Sequence, residues 1–257
     1  METFDAAALH LQHLQPHLQQ VQKALTAGLP AYAALNQLQA SPLPFVPQSE
    51  LPKGQAYESF IFEQQRVPTR ENLHDVFGAL IWCQLPQLKR QLNRLQAGEI
   101  ARDGAQTKRS ALRNAVTVLD ESGLLLHAPD SIWQALQTRQ WQRALLDLRD
   151  DWAQVRFLLV GHGLLEQLSL QPHLGLTAHT LRVDLAAHKG DWDAAACAAL
   201  AQQVLPQVAA GHKLYAPLPV FGIPGWHAGN AQADFYANTQ IFRPLPAQAS
   251  QAAEPAL

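Results

Sequence analysis

The sequence predicts an α+β fold that is predominantly helical, with a small β-hairpin or sheet element. Apolar residues recur three and four positions apart in most segments, which is the spacing of a helix with one buried face. Two apolar runs, at 115–119 and 124–127, flank the tetrapeptide Asp-Glu-Ser-Gly and indicate a hairpin whose turn needs glycine at positive φ. A chain of 257 residues, 47% of them hydrophobic, can bury a sizeable core.

The N-terminal residues 1–40 are predicted to form a helical segment that extends this body. From residue 4 to residue 25 the apolar side chains alternate three and four apart and form a narrow seam. Pro16 interrupts the pattern and should kink or split the helix. His10, His13 and His17 share the opposite, glutamine-rich face, which favours a solvated surface over a ladder of metal ligands.

The main α+β domain is expected to span residues 57–245. Before it, a second short helix is predicted at 30–39, and the proline-rich stretch 41–56 should be an irregular connector. Apolar and polar residues alternate at 57–63, which predicts a short strand. The tail 246–257 lacks a core pattern and is predicted to be disordered.

Most of the remaining elements are predicted to be helices. One helix should begin at Arg70 with Thr69 as its N-cap, bury a single apolar stripe and end near Pro86. Further helices are expected at 87–101, from Ser131 to about 148, through most of 151–170 and at 192–208, whereas 177–185 is ambiguous and 217–244 should be a loop that buries aromatic side chains.

Composition and charge exclude several classes of protein. The formal net charge is -2, and no basic block is longer than Lys89-Arg90, so a nucleic-acid partner is not expected. No apolar run approaches the roughly 20 residues that span a bilayer. The start of the chain lacks a signal-peptide pattern, and Cys83 and Cys197 form no paired motif. These features predict a cytoplasmic protein with reduced thiols and without a membrane partner.

The first candidate site residues are Arg70, Asn72, His74 and Asp75, which cluster at a helix start. If only the apolar stripe is buried, His74 packs at its flank and Asp75 is solvated. If the helix is buried all round, Asp75 needs a partner inside the protein, and a carboxylate beside an imidazole would form a site.

A second cluster contains His162 and Glu166, whose spacing of four residues lets them share a metal ion or a hydrogen bond. The alternative is a structural salt bridge from Glu166 to Arg156 or Arg113. Polar groups in apolar helices need partners, so we expect His74, His162 and Glu166 to lie in one pocket. His179 would join them only if the fold brings it there.

Six short blocks of sequence follow one another in the second and larger part of the chain: Val-Pro-Thr-Arg-Glu-Asn-Leu-His-Asp at 67–75, Leu-Asn-Arg-Leu-Gln-Ala at 92–97, Leu-Asp-Glu-Ser-Gly at 119–123, Gly-His-Gly-Leu-Leu-Glu at 161–166, Leu-Thr-Ala-His at 176–179 and Phe-Arg-Pro at 242–244. Through these blocks, residues 57–244 resemble the bacterial "domain of unknown function 3025" family, which implies no assigned activity. The chain departs from the family pattern at Gly78, Gly163 and Asn114, where asparagine, alanine and aspartate would be typical.

Two functional hypotheses remain, because the sequence contains no phosphate loop, dinucleotide fingerprint or nucleophile turn. One is a small-molecule hydrolase, with a divalent metal as a candidate cofactor. The other is a non-catalytic interaction protein that docks a partner protein on the N-terminal seam. For the hydrolase, the candidate catalytic residues are His74, Asp75, His162 and Glu166, and the candidate binding residues are Arg70, Asn72, Arg113, Asp120 and His179.

Overall fold

The computed structural model describes residues 5, 7–104, 109–212 and 214–246. Its architecture is α+β and predominantly helical, as predicted. The α-helices are α1 (Gln15–Thr26), α2 (Ala31–Asn36), α3 (Tyr57–Gln64), α4 (Leu73–Gln84), α5 (Pro86–Asp103), α6 (Ala111–Ser122), α7 (Asp130–Gln137), α8 (His162–Leu170), α9 (Trp192–Ala199) and α10 (Leu205–Ala209). The strands are β1 (Phe45–Pro47), β2 (Val67–Thr69), β3 (Gly123–His127), β4 (Arg156–Leu159), β5 (Thr177–Arg182) and β6 (Ala216–Pro219). Shorter 3-10 or π-helical turns are Leu9–Leu14, Gln48–Glu50, Arg143–Asp147, Arg149–Gln154, Leu200–Val204, Val220–Gly222, Ala228–Ala231 and Ala233–Ala237.

A four-stranded sheet with the order β4-β3-β5-β6 lies at the centre of the fold. Strand β3 pairs antiparallel with β4 and parallel with β5, and β5 pairs antiparallel with β6. Leu124, Leu125 and Leu126 are fully buried, as expected for an inner strand that is covered on both faces. Strands β1 and β2 form a separate parallel pair. Within the described ranges, no helix is both long and apolar enough to cross a lipid bilayer.

The predicted hairpin around residues 120–123 is wrong. Helix α6 continues to Ser122, and β3 begins directly at Gly123, whose φ of -72° lies outside the left-handed region that the turn required. Just before the tetrapeptide, Ala115, Val116 and Leu119 are buried, and their spacing is that of one face of a helix. Glycine is needed at 123 for a different reason, because a Cβ there would overlap the backbone carbonyl of Leu119.

The predicted strand at 57–63 is also wrong, since these residues form helix α3. Its buried residues Phe60 and Ile61 are neighbours in sequence. Successive side chains of a strand point to opposite faces, so two adjacent residues packing into one core fit a helix better. Gln65 ends the helix in the left-handed conformation, with a φ of 53°.

Other boundaries in the second half of the chain differ from the prediction. The helix expected from Ser131 begins after Pro129 and ends at Gln137, and the run at 151–170 divides into β4 and α8. An apolar run cannot by itself distinguish a buried strand from a buried helix. The ambiguous segment 177–185 contributes β5, and the predicted C-terminal loop opens with β6 before its aromatic side chains pack. The predicted disordered tail, from residue 247 onward, lies outside the described residues.

The N-terminal seam packs inside this chain. Leu11, Leu14, Leu18 and Val21 are at most 1% exposed and belong to the same hydrophobic cluster as the residues of the sheet and of α4. Pro16 lies in the first turn of α1, directly after a 3-10 turn, so the predicted split of the helix is confirmed. Burial in its own core removes the seam as an exposed docking surface.

The stretch 41–56, predicted to be an irregular connector, contains strand β1, which is anchored by Asn36. The Asn36 side chain exchanges two hydrogen bonds with the backbone of Phe45. Phe45 itself is 1% exposed and belongs to the main hydrophobic cluster. The proline-rich composition of this stretch therefore gave no indication of the short strand within it.

Two N-terminal histidines, His10 and His13, are partly buried, contrary to the predicted solvated face. The Ser169 hydroxyl donates to the Leu165 carbonyl, so His10 Nε2 donates to Ser169 Oγ over 3.0 Å. His13 Nε2 is buried without a hydrogen-bond partner in the described part of the chain. Desolvation lowers the pKa of both imidazoles from 6.5 to about 4.

We expect the free energy of unfolding to fall as the pH is lowered from about 7.5 to about 5. The unfolded chain protonates these imidazoles near 6.5 and the fold only near 4, so stability is full above 6.5 and is lost towards 4. The loss should be about 1–2 kcal/mol per histidine after allowing for partial exposure. Urea unfolding at both pH values measures it.

His13→Gln should reduce this pH dependence, and His173→Gln, at an exposed position, should leave it unchanged. If the free energy of unfolding depended on pH equally in His13→Gln and in the unaltered protein, His13 would not contribute to the loss of stability at low pH.

Candidate metal centre

A cleft of about 450 Å³ opens between helices α3, α4, α5 and α6. Its apolar wall includes Ile61, Leu92 and Trp82, while charged side chains line the rest. The first turn of α4 and the N-terminus of α8 meet at one end of this cleft. The polar groups predicted to converge are found there.

His74 and His162 lie face to face at that end. His74 projects from the first turn of α4, and His162 is the first residue of α8. Their Nε2 atoms are 3.1 Å apart, and their ring centroids are 4.4 Å apart with the planes inclined by 66°. The two helices thus bring together imidazoles that are 88 residues apart in the sequence.

Each ring is oriented by an acceptor at its Nδ1 atom. His162 Nδ1 lies 2.7 Å from the backbone carbonyl oxygen of Asp120. His74 Nδ1 lies 3.0 Å from Glu166 Oε2. A carbonyl oxygen and a carboxylate oxygen can only accept, so both Nδ1 atoms carry hydrogen. In the neutral rings, both Nε2 atoms therefore present lone pairs.

Two lone pairs at this separation repel each other unless a positive centre lies between them. A shared proton or a metal ion can fill that role. Burial lowers the pKa of His162, although the carboxylates of Asp120 and Glu121 oppose the shift. The His162 ring is therefore disposed to be neutral, which is the form that binds a metal.

Glu121 supplies a carboxylate to the same point. Its Oε1 lies 3.8 Å from His162 Nε2, and ligand atoms from His74, Glu121 and His162 all lie within 4.8 Å of one another. The Glu121 side chain is 45% exposed and free to adjust. Gly163 leaves room for it, because a Cβ at that position would come 2.5 Å from Glu121 Oε2.

A buried ion pair supports the site from the α5 side. Lys89 Nζ lies 2.5 Å from Asp120 Oδ1, and the lysine side chain is 8% exposed. Burial would raise the pKa of Asp120, but the pKa lies below its ordinary value, and the adjacent ammonium of Lys89 is the main cause. Asp120 thus remains ionised, while its backbone carbonyl orients His162.

Glu58 also lines the cleft, and its pKa is shifted in the opposite direction from that of Asp120. Burial, reinforced by the charge of Asp120, raises its pKa. The Asn93 amide donates to it over 2.5 Å. A carboxyl with a raised pKa keeps its proton to a higher pH than an ordinary carboxyl, which is a property required of a general acid.

Three of the residues predicted at the α4 start have structural partners. Asn72, not Thr69, is the N-cap of α4, since its side chain accepts from the Asp75 backbone N–H. The Asp75 carboxylate accepts from the Arg70 backbone N–H over 2.8 Å and from its guanidinium over 2.7 Å. Asp75 is therefore neither solvated nor beside the imidazoles, and its carboxylate is occupied by Arg70.

His179 lies away from the His74–His162 pair. Its Nδ1 is 2.8 Å from Ser122 Oγ, and its ring packs against Tyr215. It is not among the residues that line the cleft. The condition under which His179 would join the histidine pair is therefore not met. The alternative salt bridge from Glu166 to Arg156 or Arg113 is not formed, because Glu166 pairs with His74.

Glu121, Glu58 and Lys89 were not among the predicted site residues. Glu121 was assigned to the hairpin turn, where acidic residues are ordinary. If 111–122 is read as a helix, the cleft-lining residues Arg113, Thr117 and Glu121 recur every four residues and form one polar stripe. That stripe was the available signal.

A family model described as "Protein of unknown function (DUF3025)" matches residues 43–246. The chain belongs to this family. The match covers every residue of the DUF3025 site described above and begins just before β1. No curated protein and no solved structure matches the chain.

The position of His162 depends on a close backbone approach at Gly161. A Cβ at 161 would overlap the backbone of Ser122 and Gly123. We therefore expect Gly161→Ala to lower the free energy of unfolding by about 1–3 kcal/mol, because the backbone cannot yield as a flexible side chain would. Urea unfolding measures the change.

Gly98→Ala is the matched control, since an added Cβ on α5 meets nothing within 4 Å. It should stabilise the protein by up to about 1 kcal/mol through helix propensity. If Gly161→Ala proved as stable as Gly98→Ala, the close approach would not constrain α8.

Proposed function

We propose that this protein is a metal-dependent hydrolase that acts on a small molecule in the cleft. A divalent metal ion would be bound by His74 Nε2, His162 Nε2 and a Glu121 carboxylate oxygen. The observation that carries the proposal is the pair of Nε2 atoms, 3.1 Å apart, with both Nδ1 atoms already engaged by acceptors.

The spacing of the two nitrogens suits a common metal ion. With metal–nitrogen bonds of about 2.0–2.1 Å, a separation of 3.1 Å corresponds to a ligand–metal–ligand angle of about 100°. That angle is near the tetrahedral value. Glu121 requires only a rotation of its half-exposed side chain to complete the set.

The surroundings of the histidines also resemble those of metal ligands. Metal-binding histidines commonly donate their second N–H to a carboxylate or a backbone carbonyl, which fixes the ring and its tautomer. Here Glu166 is the acceptor for His74 Nδ1, and the Asp120 carbonyl is the acceptor for His162 Nδ1. Neither acceptor is a ligand in this proposal, and both are positioning groups.

Three protein ligands leave coordination positions open towards the cleft, which is typical of a catalytic centre rather than a structural one. A metal ion held by these three residues would supply the positive charge that makes a bound water acidic enough to act as a nucleophile. Glu58, with its raised pKa, is the proposed proton carrier in the cleft. The buried seam gives no support to the alternative of an interaction protein.

Measuring the metal content distinguishes between the two positive centres that could lie between the facing Nε2 atoms, a metal ion and a shared proton. Untagged protein should bind about one zinc ion per chain after loading and dialysis. His162→Ala and Glu121→Gln should lose it, while His173→Ala, at an exposed position, should keep it. Circular dichroism controls for folding.

Folded protein that binds no divalent metal, or a His162→Ala variant that binds it as tightly, would contradict the proposed centre. Turnover of nitrophenyl esters and phosphates then tests the reaction class. Loaded protein should hydrolyse at least one of them and lose that activity with a chelator, whereas a metal centre without any hydrolysis would contradict the hydrolase assignment.

We further expect Glu166→Gln to weaken zinc binding by about 10–100-fold while all three ligands remain. The amide oxygen still accepts from His74 Nδ1, but the negative charge that makes the imidazole more basic is lost. Competition with a chromophoric chelator measures the affinity. Glu63→Gln, at an exposed position, is the control and should change nothing, and an equal affinity in Glu166→Gln would remove Glu166 from the positioning role.

A further inference from the structure

The cleft continues along α6, away from the proposed metal centre. Arg113, Thr117 and Glu121 all line it at intervals of four residues. At a helical rise of 1.5 Å per residue, the Cα atoms of Arg113 and Glu121 are about 12 Å apart. The cleft therefore has two chemically different ends, one with histidines and the other with arginine.

Four of the charged side chains that line the cleft form two ion pairs within the protein. Arg70 pairs with Asp75, and Lys89 pairs with Asp120. Arg113 forms no ion pair with any described residue, and its buried Nε has no hydrogen-bond partner there. A buried donor without an acceptor costs free energy, so a ligand that supplies the acceptor gains the full interaction.

The carboxylates near this end are already engaged. Glu99 bonds to Arg102 and to the Ser110 hydroxyl. Asp103 pairs with Arg102 as well. Glu58 accepts from Asn93, and burial raises its pKa, which reduces its negative charge. Among the described residues, Arg113 acts on Glu58 and Asp103 through its charge but forms an ion pair with neither, which leaves its guanidinium open to a ligand.

We propose that Arg113 binds an anionic group, a phosphate or a carboxylate, of the molecule that occupies the cleft. Arg109 also lines the cleft and lies 3.5 Å from Thr117 Oγ1, so it adds a second positive charge there. The guanidinium fork suits the paired oxygens of either anion. Resting on the proposed function, this assigns the substrate as an elongated anionic small molecule whose charged group lies on the order of 10 Å from the bond that is cleaved.

The test measures binding of inorganic phosphate and of succinate to metal-free protein, because a bound metal would itself attract anions. Isothermal titration gives the affinity, and the ¹⁵N resonance of Arg113 Nε reports contact directly. We expect at least one probe to bind, Arg113→Gln to weaken it by about tenfold or more, and Arg113→Lys to weaken it less. Arg94→Gln, which removes an exposed arginine of α5 outside the cleft, should leave the affinity unchanged.

No binding of either probe, or equal affinities in Arg113→Gln and Arg94→Gln, would overturn the proposal. Binding of one probe alone would support it and fix the class of anion. His162→Ala separates this proposal from the metal centre, because that variant should lose zinc and retain the anion. Anion binding at Arg113 in a protein that binds no metal would therefore leave the subsite standing while the proposed hydrolase fails.

Discussion

The site depends on one constraint, which is that polar groups carried into a helical interior must satisfy one another. Where α5, α6 and α8 meet, the side chains of Lys89, Asp120 and His162 are at most 13% exposed, so an unpaired charge or imidazole there would lose its hydration without compensation. Glu166 accepts a hydrogen bond from His74, the Asp120 carbonyl accepts one from His162, and Lys89 forms an ion pair with the Asp120 carboxylate. Within this series of polar groups, only the two Nε2 atoms face each other without a donor between them, and these atoms are the candidate metal ligands.

The sheet enforces this meeting through backbone contact. Strand β3 follows α6 without a loop, and Gly161 packs on the junction between them. The N–H groups of Val160 and Gly161 both donate to the Gly123 carbonyl, which fixes the start of α8. These backbone contacts thereby fix the position from which the imidazole of His162 projects. Such support is stiffer than side-chain packing, as a site that holds two rings 3.1 Å apart requires.

Sequence reasoning recovered those parts of the structure that have local causes. The stripe of α4, its end before Pro86 and the split at Pro16 follow from periodicity and proline chemistry. The need for partners in apolar helices placed His74, His162 and Glu166 together. Local reasoning failed where tertiary contacts decide: His13 is buried by neighbours far along the chain, and residues 120–123 suit a turn as well as a helix end. The hairpin error then hid Glu121, because a residue on a turn and one on a helix face point to different places.

The N-terminal segment acts as a brace on the two helices that carry the imidazoles. His10 bonds to Ser169 near the end of α8, and the side chain of Gln84, the last residue of α4, donates to the His13 carbonyl. These ties lie at the opposite ends of the helices from His74 and His162. The brace also lies outside the family match, which starts at residue 43. A chain trimmed to the matched residues would keep every candidate ligand and the direct packing of α4 on α8, yet it would lose both hydrogen bonds at the far ends of these helices.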